Sequence, residues 1–170
     1  MIETERLILR PMRVEDTDPL LRVFGDPLVM ASFGVEPFDR AQMREWVQRN
    51  LDHQGEHGYG LFTVMLRQSG EVIGDCGLEQ MEIDGVPAAE LGYDLQRDVW
   101  NRGLATEAAA AVRDYAFRAR HLPRLVSLIR QGNIASRRVA EKIGMRHLED
   151  IDRSGIPYWL FGQDRPAGPA

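Results

Sequence analysis

The spacing of apolar residues changes several times along the chain, and each change predicts a new strand or helix. Leu7 and Leu9 lie two residues apart, as on one face of a strand, and residues 124–130 alternate in the same way. Apolar residues within 40–54 instead recur at helical intervals. These patterns predict strands at residues 5–12, 59–67, 71–78, 88–95, 124–130, 145–152 and 156–162. They predict helices at residues 15–24, 40–54, 103–120 and 134–143, with the Asp26-Pro27 pair ending the first helix.

The order of these elements predicts one domain of mixed architecture. Two helices follow the first strand, three strands come next, and a helix, a strand and a helix precede a closing hairpin. Such an order is typical of an α/β (α+β) fold, in which helices flank a mostly antiparallel sheet. No linker rich in Pro and Gly divides the chain, so the domain is expected to span residues 1–163. Residues 164–170 are predicted to form a flexible tail because their Pro and Gly cannot extend a strand.

The composition narrows the class of protein. With 170 residues, 44% of them hydrophobic and 28% charged, the chain can bury its own core in water. Cys76 is the single cysteine, which excludes an internal disulfide and fits a reducing compartment. No apolar run reaches bilayer length and the start of the chain is charged, so a cytoplasmic location without membrane contact is expected. The net charge of -5 opposes nucleic-acid binding and favours a cationic substrate.

A strand, a short loop and the start of a helix follow one another within residues 91–107. The first turn of a helix has unpaired N–H groups and a partial positive charge, which suit a diphosphate. Gly103 allows close approach of the backbone, and the small Ala105 keeps the helix entrance open. The segment has neither the glycine pattern of dinucleotide folds nor the Lys of a P-loop, so these classes are disfavoured. An ordinary helix start remains the alternative interpretation.

Two motifs, in this order, resemble the GCN5-related N-acetyltransferase (GNAT) superfamily, and most of all its branch of ribosomal-protein N-terminal acetyltransferases. The first is Trp-Asn-Arg-Gly-Leu-Ala-Thr-Glu at residues 100–107, and the second lies at residues 133–145. Trp100 stands where the superfamily's pyrophosphate motif usually has Gln or Arg, whereas Gly103 and Ala105 match that motif. The resemblance implies an acetyl-CoA-dependent N-acetyltransferase. It also implies a seven-stranded, mostly antiparallel sheet with splayed central parallel strands and about four flanking helices.

The resemblance further implies which residues hold acetyl-CoA. The backbone N–H groups expected to bind the pyrophosphate are those of Arg102, Gly103, Leu104, Ala105, Thr106 and Glu107. The backbone of Tyr93, Asp94 and Leu95 would pair with the pantetheine arm, because splayed strands expose unpaired amide groups. The side-chain amide of Asn133 would hydrogen-bond the pantetheine, and the same residue is suited to capping the helix that follows it. No metal is implied.

Amide formation from a thioester requires one group that removes a proton from the amine and one that serves the departing thiolate. Many relatives use a Tyr near the sulfur, but the matching position here is Ala140. Ser136 is the best substitute, as a hydrogen-bond donor or through a water, with a purely structural role at the helix start as the alternative. Glu90 is the first candidate for the base. Three further carboxylates that end strands remain possible bases: Glu79, Glu149 and Asp150.

Two other patterns carry weaker chemical hypotheses. His53, Glu56 and His57 match the His-x-x-Glu-His pattern of zinc peptidases, but Gly55 interrupts the helix that the metal would require, so solvated histidines are favoured. Cys76 lies in a predicted strand with no assignable activating histidine, which favours a buried structural thiol over a nucleophile.

The acceptor of the acetyl group is left open by the sequence. A protein N-terminal α-amine and a small-molecule amine both fit the resemblance, and a homodimer is possible by the same resemblance. The absence of a Tyr at Ala140 keeps a second class of function open, namely a non-catalytic acyl-CoA sensor or a partner-binding protein.

Overall fold

A computed structural model of the chain describes residues 1–167 as one eight-stranded sheet with helices on both faces. The strands are β1 (Ile2–Glu3), β2 (Leu7–Pro11), β3 (Leu61–Leu66), β4 (Val72–Ile83), β5 (Val86–Leu95), β6 (Arg124–Arg130), β7 (Arg146–Arg153) and β8 (Ile156–Asp164). The helices are α1 (Thr17–Phe24), α2 (Pro27–Met30), α3 (Arg40–His57), α4 (Leu104–Arg118) and α5 (Ile134–Lys142). The strand order in the sheet is β1-β2-β3-β4-β5-β6-β8-β7.

The predicted architecture is confirmed, but two short elements raise the predicted counts of seven strands and about four helices. β1 contains only two residues, which pair with β2, and two residues are too few to show an alternating pattern. α2 lies where the Asp26-Pro27 pair was expected only to end a helix. The Asp26 carboxylate accepts a hydrogen bond from the Leu28 N–H, so Asp26 caps a new helix and Pro27 occupies its first turn.

The sheet divides between β5 and β6, its one pair of parallel neighbours. These two strands pair only at Ala89 with Leu125 and at Glu90 with Val126. β6 remains paired with β8 along its whole length, from Arg124 to Arg130. Beyond Glu90 the facing edges of β5 and β6 therefore diverge, and their backbone groups are exposed to a cleft.

Two hydrophobic clusters cover the two faces of the sheet. The larger cluster packs the apolar faces of α4 and α5 against the central strands, with fully buried residues such as Leu78, Leu91 and Val112. The smaller cluster packs α1, α2 and α3 on the opposite face, around Leu20 and Met43. Each helix layer thus buries one face, and the line along which β5 and β6 diverge is open between the layers.

A buried carboxylate fixes the entrance to α1. Both oxygens of Asp16 accept hydrogen bonds from the Arg10 guanidinium, at 2.6 and 2.8 Å, and Thr63 Oγ1 donates at 2.7 Å. Burial alone would raise the pKa of Asp16, but hydrogen bonds from Arg10, Thr63 and the Arg13 N–H lower it below its usual value. This network joins the start of α1 to β2 and β3.

The end of the domain lies beyond residue 163. Asp164 is the last residue of β8 and pairs with Arg124, and the Arg165 N–H donates to the Pro123 carbonyl at 2.8 Å. The predicted tail therefore begins too early, because the sheet supplies hydrogen-bond partners for residues that precede the first Pro of the tail. Residues 168–170 of that predicted tail lie outside the described residues. Within residues 1–167, no helix is long and apolar enough to cross a membrane.

Candidate active site

The divergence of β5 and β6 creates a cleft of about 880 Å³. Its walls come from the end of β5, the start of α4, and the loop and first turn that follow β6. Residues of α2 and the turn after it, including Val29 and Ser32, close one side. The sequence therefore brings its two marker motifs to opposite walls of one cavity.

The first turn of α4 presents backbone donors to this cleft. Gly103 adopts a left-handed conformation, with φ of 77°, immediately before the helix. Gly103, Leu104, Ala105 and Thr106 all line the cavity. Helix geometry leaves the N–H groups of Leu104, Ala105 and Thr106 without an intrahelical acceptor, as at any helix N-terminus.

Arg102 and Glu107 do not reach the cleft, and the structure corrects the prediction at these two positions. The Glu107 N–H already donates to the Gly103 carbonyl at 3.0 Å, because Glu107 is the first residue with an acceptor one turn back. Its carboxylate accepts from Thr4 Oγ1 at 2.6 Å and from the N–H and Nε of Arg6 at 2.8 and 2.6 Å. The Arg102 carbonyl accepts from Arg6 at 2.8 Å, and Arg102 lines a separate cavity of about 360 Å³. Both residues tie α4 to the start of the chain.

The end of β5 forms a second wall, through Tyr93, Asp94 and Leu95. The side chain of Tyr93 crosses towards α5, and its hydroxyl donates to the Ser136 carbonyl at 2.7 Å. Burial raises the pKa of this phenol well above its usual value, so the proton stays on the hydroxyl. The Trp100 indole N–H donates to the Leu95 carbonyl at 2.7 Å, which holds the loop before α4 against the strand.

The third wall is the start of α5, where the predicted helix cap is confirmed. Asn133 Oδ1 accepts from the Ser136 N–H at 3.1 Å. Both residues line the cleft, and the role predicted for Ser136 as the partner of the thiolate stays a prediction. Ala140 is fully buried one turn further along, in the core beneath α5.

Glu90 lies at the point where the two strands separate. Its Oε1 accepts a hydrogen bond from the Leu128 N–H of β6 at 3.1 Å, just past the last residue pair that joins β5 to β6. Burial raises the pKa of Glu90 to about 7, although the hydrogen bond from Leu128 opposes the rise. Glu90 is not among the lining residues of the cleft. It lies on the α1–α3 face of β5, whereas Tyr93 and Leu91 point to the α4 side.

Glu90 belongs to a row of four carboxylates on that face. Glu79 pairs with Glu90 across β4 and β5, and Asp75 pairs with Asp94 four residues further along. Burial raises the pKa of Glu79. Burial, together with the negative charges of Glu79 and Glu90, raises the pKa of Asp94 to about 7. The four-residue spacing within each strand is the sequence signal for this row, but the sequence does not give the register that pairs the strands. Asp75 was missed for that reason.

The other candidate bases lie elsewhere. Glu149 and Asp150 are exposed on β7, the outermost strand, which is separated from β6 by β8. Asp150 contacts His147 at 2.8 Å rather than the cleft. Cys76 is fully buried on β4, and burial raises the pKa of its thiol well above the usual value, so it remains a neutral structural residue.

The His-x-x-Glu-His segment ends α3. His53 Nε2 accepts a hydrogen bond from the Gln80 N–H at 2.8 Å, so one of its two ring nitrogens is already occupied. Among residues 1–167, no three His, Cys, Asp or Glu side chains are arranged to hold a metal ion.

A sheet divided between two parallel strands, with a helix N-terminus at one wall and amide groups exposed along another, is the arrangement expected of a coenzyme-A-dependent acyltransferase. The acetyltransferase (GNAT) domain family matches residues 6–146 of the chain. The uncharacterized protein YkkB of Bacillus subtilis is 38% identical, over 93% of this chain and 92% of its own length. The uncharacterized N-acetyltransferase p20 of Bacillus licheniformis is 36% identical, over 78% of this chain and 75% of its own.

Solved structures agree with this assignment. The acetyltransferase from Agrobacterium tumefaciens is 31% identical and superposes with a TM-score of 0.82, over 95% of this chain and 92% of that one. Ribosomal-protein acetyltransferases share the fold at 17–20% identity. The chain belongs to the GNAT family and is an N-acetyltransferase that uses acetyl-CoA as its acetyl donor.

Proposed function

We propose that this enzyme transfers the acetyl group of acetyl-CoA directly to a primary amine within a ternary complex. The observation that carries the proposal is the position of Glu90, a carboxyl group at the point where β5 and β6 separate, with a pKa raised to about 7. A base with a pKa near neutrality can accept a proton from an ammonium group and release it again at cellular pH. The net charge of -5 is consistent with a cationic acceptor.

The residues at the cleft fit the donor in two places. The N–H groups of Leu104, Ala105 and Thr106 would hold the pyrophosphate, with Gly103 allowing its close approach. The exposed edge of β5 at Tyr93, Asp94 and Leu95 would pair with the amides of the pantetheine arm, as a strand pairs with an added strand. The Asn133 amide nitrogen lies at the facing wall and can donate to the same arm while Oδ1 caps α5.

The proposed reaction balances without a covalent enzyme intermediate. The amine nitrogen attacks the thioester carbonyl, its proton passes to Glu90, the C–S bond breaks, and that proton is returned through water to the thiolate of coenzyme A, which leaves as the thiol. Ser136 would donate a hydrogen bond to the departing sulfur, directly or through a water. The buried, neutral Cys76 supports direct transfer over an acyl-enzyme route, because a cysteine nucleophile must be an accessible thiolate.

A non-catalytic acyl-CoA sensor is the second candidate, and the burial of Ala140 favours it, since the usual tyrosine has no counterpart there. Measuring thiol release from acetyl-CoA with a panel of primary amines and peptide N-termini separates the two functions. The buried Cys76 keeps the background reaction of a thiol reagent low. We expect release that requires a primary amine and disappears with the matched tertiary amine. Coenzyme A binding without release for any amine would support the sensor, and no binding would overturn both functions.

A further inference from the structure

The four carboxylates on the α1–α3 face form two directly opposed pairs. Asp75 faces Asp94 and Glu79 faces Glu90 across the antiparallel strands β4 and β5. Opposed residues in such a ladder point to the same face, with Cβ atoms about 5 Å apart. The two pairs lie four residues apart along the strands, which places them roughly 13 Å from each other.

The two ends of this row differ in how their charge is compensated. Burial raises the pKa of both Glu79 and Glu90, and the positive charges of Arg49 and Arg153 partly oppose these rises, so cationic side chains approach that end. At the other end Asp75 is 0% exposed, and neither of its carboxylate oxygens has a hydrogen-bond partner among residues 1–167. Its charged neighbours are Asp94 and Glu79, which carry the same sign. An unpartnered buried carboxylate is costly, and a bound cation would offset that cost.

Space for a ligand lies between the two ends. Gly92 is on the same face as Glu90 and Asp94, halfway between them, and a Cβ atom built on it would meet no atom within 4 Å. Asp94 also lines the acetyl-CoA cleft, so this end of the row communicates with the donor site. The open space at Gly92 would allow a slender chain to cross β5 between Glu90 and Asp94.

We propose that the acceptor is an aliphatic amine that carries a second ammonium group, and that Asp75 and Asp94 bind this second group. The reacting amine then lies beside Glu90, and the methylene chain crosses Gly92. This assignment rests on the proposed function for the role of Glu90. It adds a specificity site that a monoamine leaves empty.

The test compares 1,8-diaminooctane with 8-aminooctan-1-ol, which has the same chain but a neutral terminus. We expect kcat/KM for the diamine to exceed that for the amino alcohol by about 10- to 100-fold, as expected for a charge-assisted contact. In Asp75→Asn and in Asp94→Asn this ratio should fall towards one, whatever happens to the absolute rates. Asp52→Asn, an identical change at an exposed position on α3, should keep the wild-type ratio.

Calorimetric titration of both probes into the complex with coenzyme A gives a readout that does not depend on turnover. Tighter binding of the diamine, lost in both variants, supports the inference even if no amine is acetylated, an outcome that would overturn only the proposed function. Equal kcat/KM and equal affinity for the two probes would overturn the inference and leave the acetyltransferase intact. So would a ratio unchanged in Asp75→Asn and Asp94→Asn, or acetylation of neutral peptides faster than the diamine. Circular dichroism of each variant checks that it is folded.

Discussion

A single residue, Glu90, shows how the fold raises the pKa of a carboxyl group towards neutrality. The carboxyl group sits where β5 and β6 separate, so it is buried by the sheet and receives the Leu128 N–H of the departing strand. Burial disfavours the charged form and is the larger effect, which leaves the pKa at about 7. The same burial that raises this pKa also means that the ionised form of Glu90 lowers the stability of the folded protein.

Glu90→Gln separates these two effects. The amide oxygen can still accept from Leu128, but the side chain can no longer take a proton. We expect kcat/KM to fall by about 10²- to 10⁴-fold, and the rise of wild-type activity with pH through about 7 to flatten. At pH 8 we expect the variant to be more stable than the wild type by about 1–3 kcal/mol, because a buried charge is removed. Steady-state kinetics and urea denaturation measure the two quantities.

The opposite combination would contradict this assignment. If Glu90→Gln lost stability at pH 8 and kept its pH-dependent activity, Glu90 would be a structural acceptor for Leu128 and the base would be another member of the row. Glu79→Gln is the matched variant for that case, because Glu79 faces Glu90 on β4.

At the scale of one element, the donor binding that we propose depends on the start of α4. Gly103 has a φ of 77°, a conformation that costs a residue with a Cβ roughly 1–2 kcal/mol. A Cβ atom there would lie 3.5 Å from Arg6 Nη2, an ordinary contact, so the cost of Gly103→Ala comes from backbone strain. We expect the strain to turn the following N–H groups away from the pyrophosphate and to weaken coenzyme A binding by about tenfold or more, measured by calorimetry.

Gly85→Ala is the control for that prediction. Gly85 has a φ of 79° in the turn between β4 and β5, and a Cβ there would meet nothing within 4 Å. This substitution imposes the same strain at the far end of the hairpin from α4. It should lower the free energy of unfolding by a similar amount and leave the affinity for coenzyme A unchanged. A comparable loss of affinity in both variants would show that Gly103 acts through overall stability.

Elements with a strong local signal were the ones that the sequence predicted well. β6 was predicted with its observed bounds because its residues alternate and Gly132 follows shortly after. β4 runs to Ile83, five residues past the predicted end, because pairing with β5 holds its polar second half in the sheet. α2 was missed because Pro27 also fits a helix stop, and only the observed cap at Asp26 distinguishes the two. Local sequence patterns therefore identify the strands and helices, whereas pairing with neighbouring strands sets how far a strand extends.

At the scale of the molecule, the walls of the cleft were more predictable than the row of carboxylates. The helix start and the cap at Asn133 are contiguous motifs, so the sequence contains them whole. The carboxylate row instead depends on the register of β4 against β5, which places Asp75 beside Asp94. The residues next to Asp75 and Asp94 in the sequence do not indicate that these two side chains lie opposite each other. Chemistry assembled across strands therefore needs the fold, even when each strand is predicted correctly.

The same row should set the pH dependence of stability of the whole protein. Glu90 and Asp94 have pKa values raised to about 7, and burial also raises the pKa of Glu79 and of Asp75. A raised pKa means that the folded state binds more protons than the unfolded chain, so stability falls as pH rises from about 4 to about 7. Burial lowers the pKa of His53, so this residue makes stability rise with pH, but it is one group and the row contains four. The pKa of Asp16 is lowered, so protonation of this carboxylate reduces the stability of the protein only as pH falls below about 4.

We therefore expect maximal stability near pH 5, with a melting temperature about 4–8 °C lower at pH 8, equivalent to about 2 kcal/mol. Differential scanning calorimetry between pH 4.5 and 8.5 measures this profile, and Asp94→Asn should reduce its slope. Acetyl transfer should rise across the same interval, because Glu90 must be ionised to accept a proton. Stability that increased from pH 5 to pH 8 would mean that the row is already ionised in the folded protein. The four carboxyl groups would then have no raised pKa values. They could explain neither proton transfer near pH 7 nor a loss of stability at high pH, since both depend on burial of these groups.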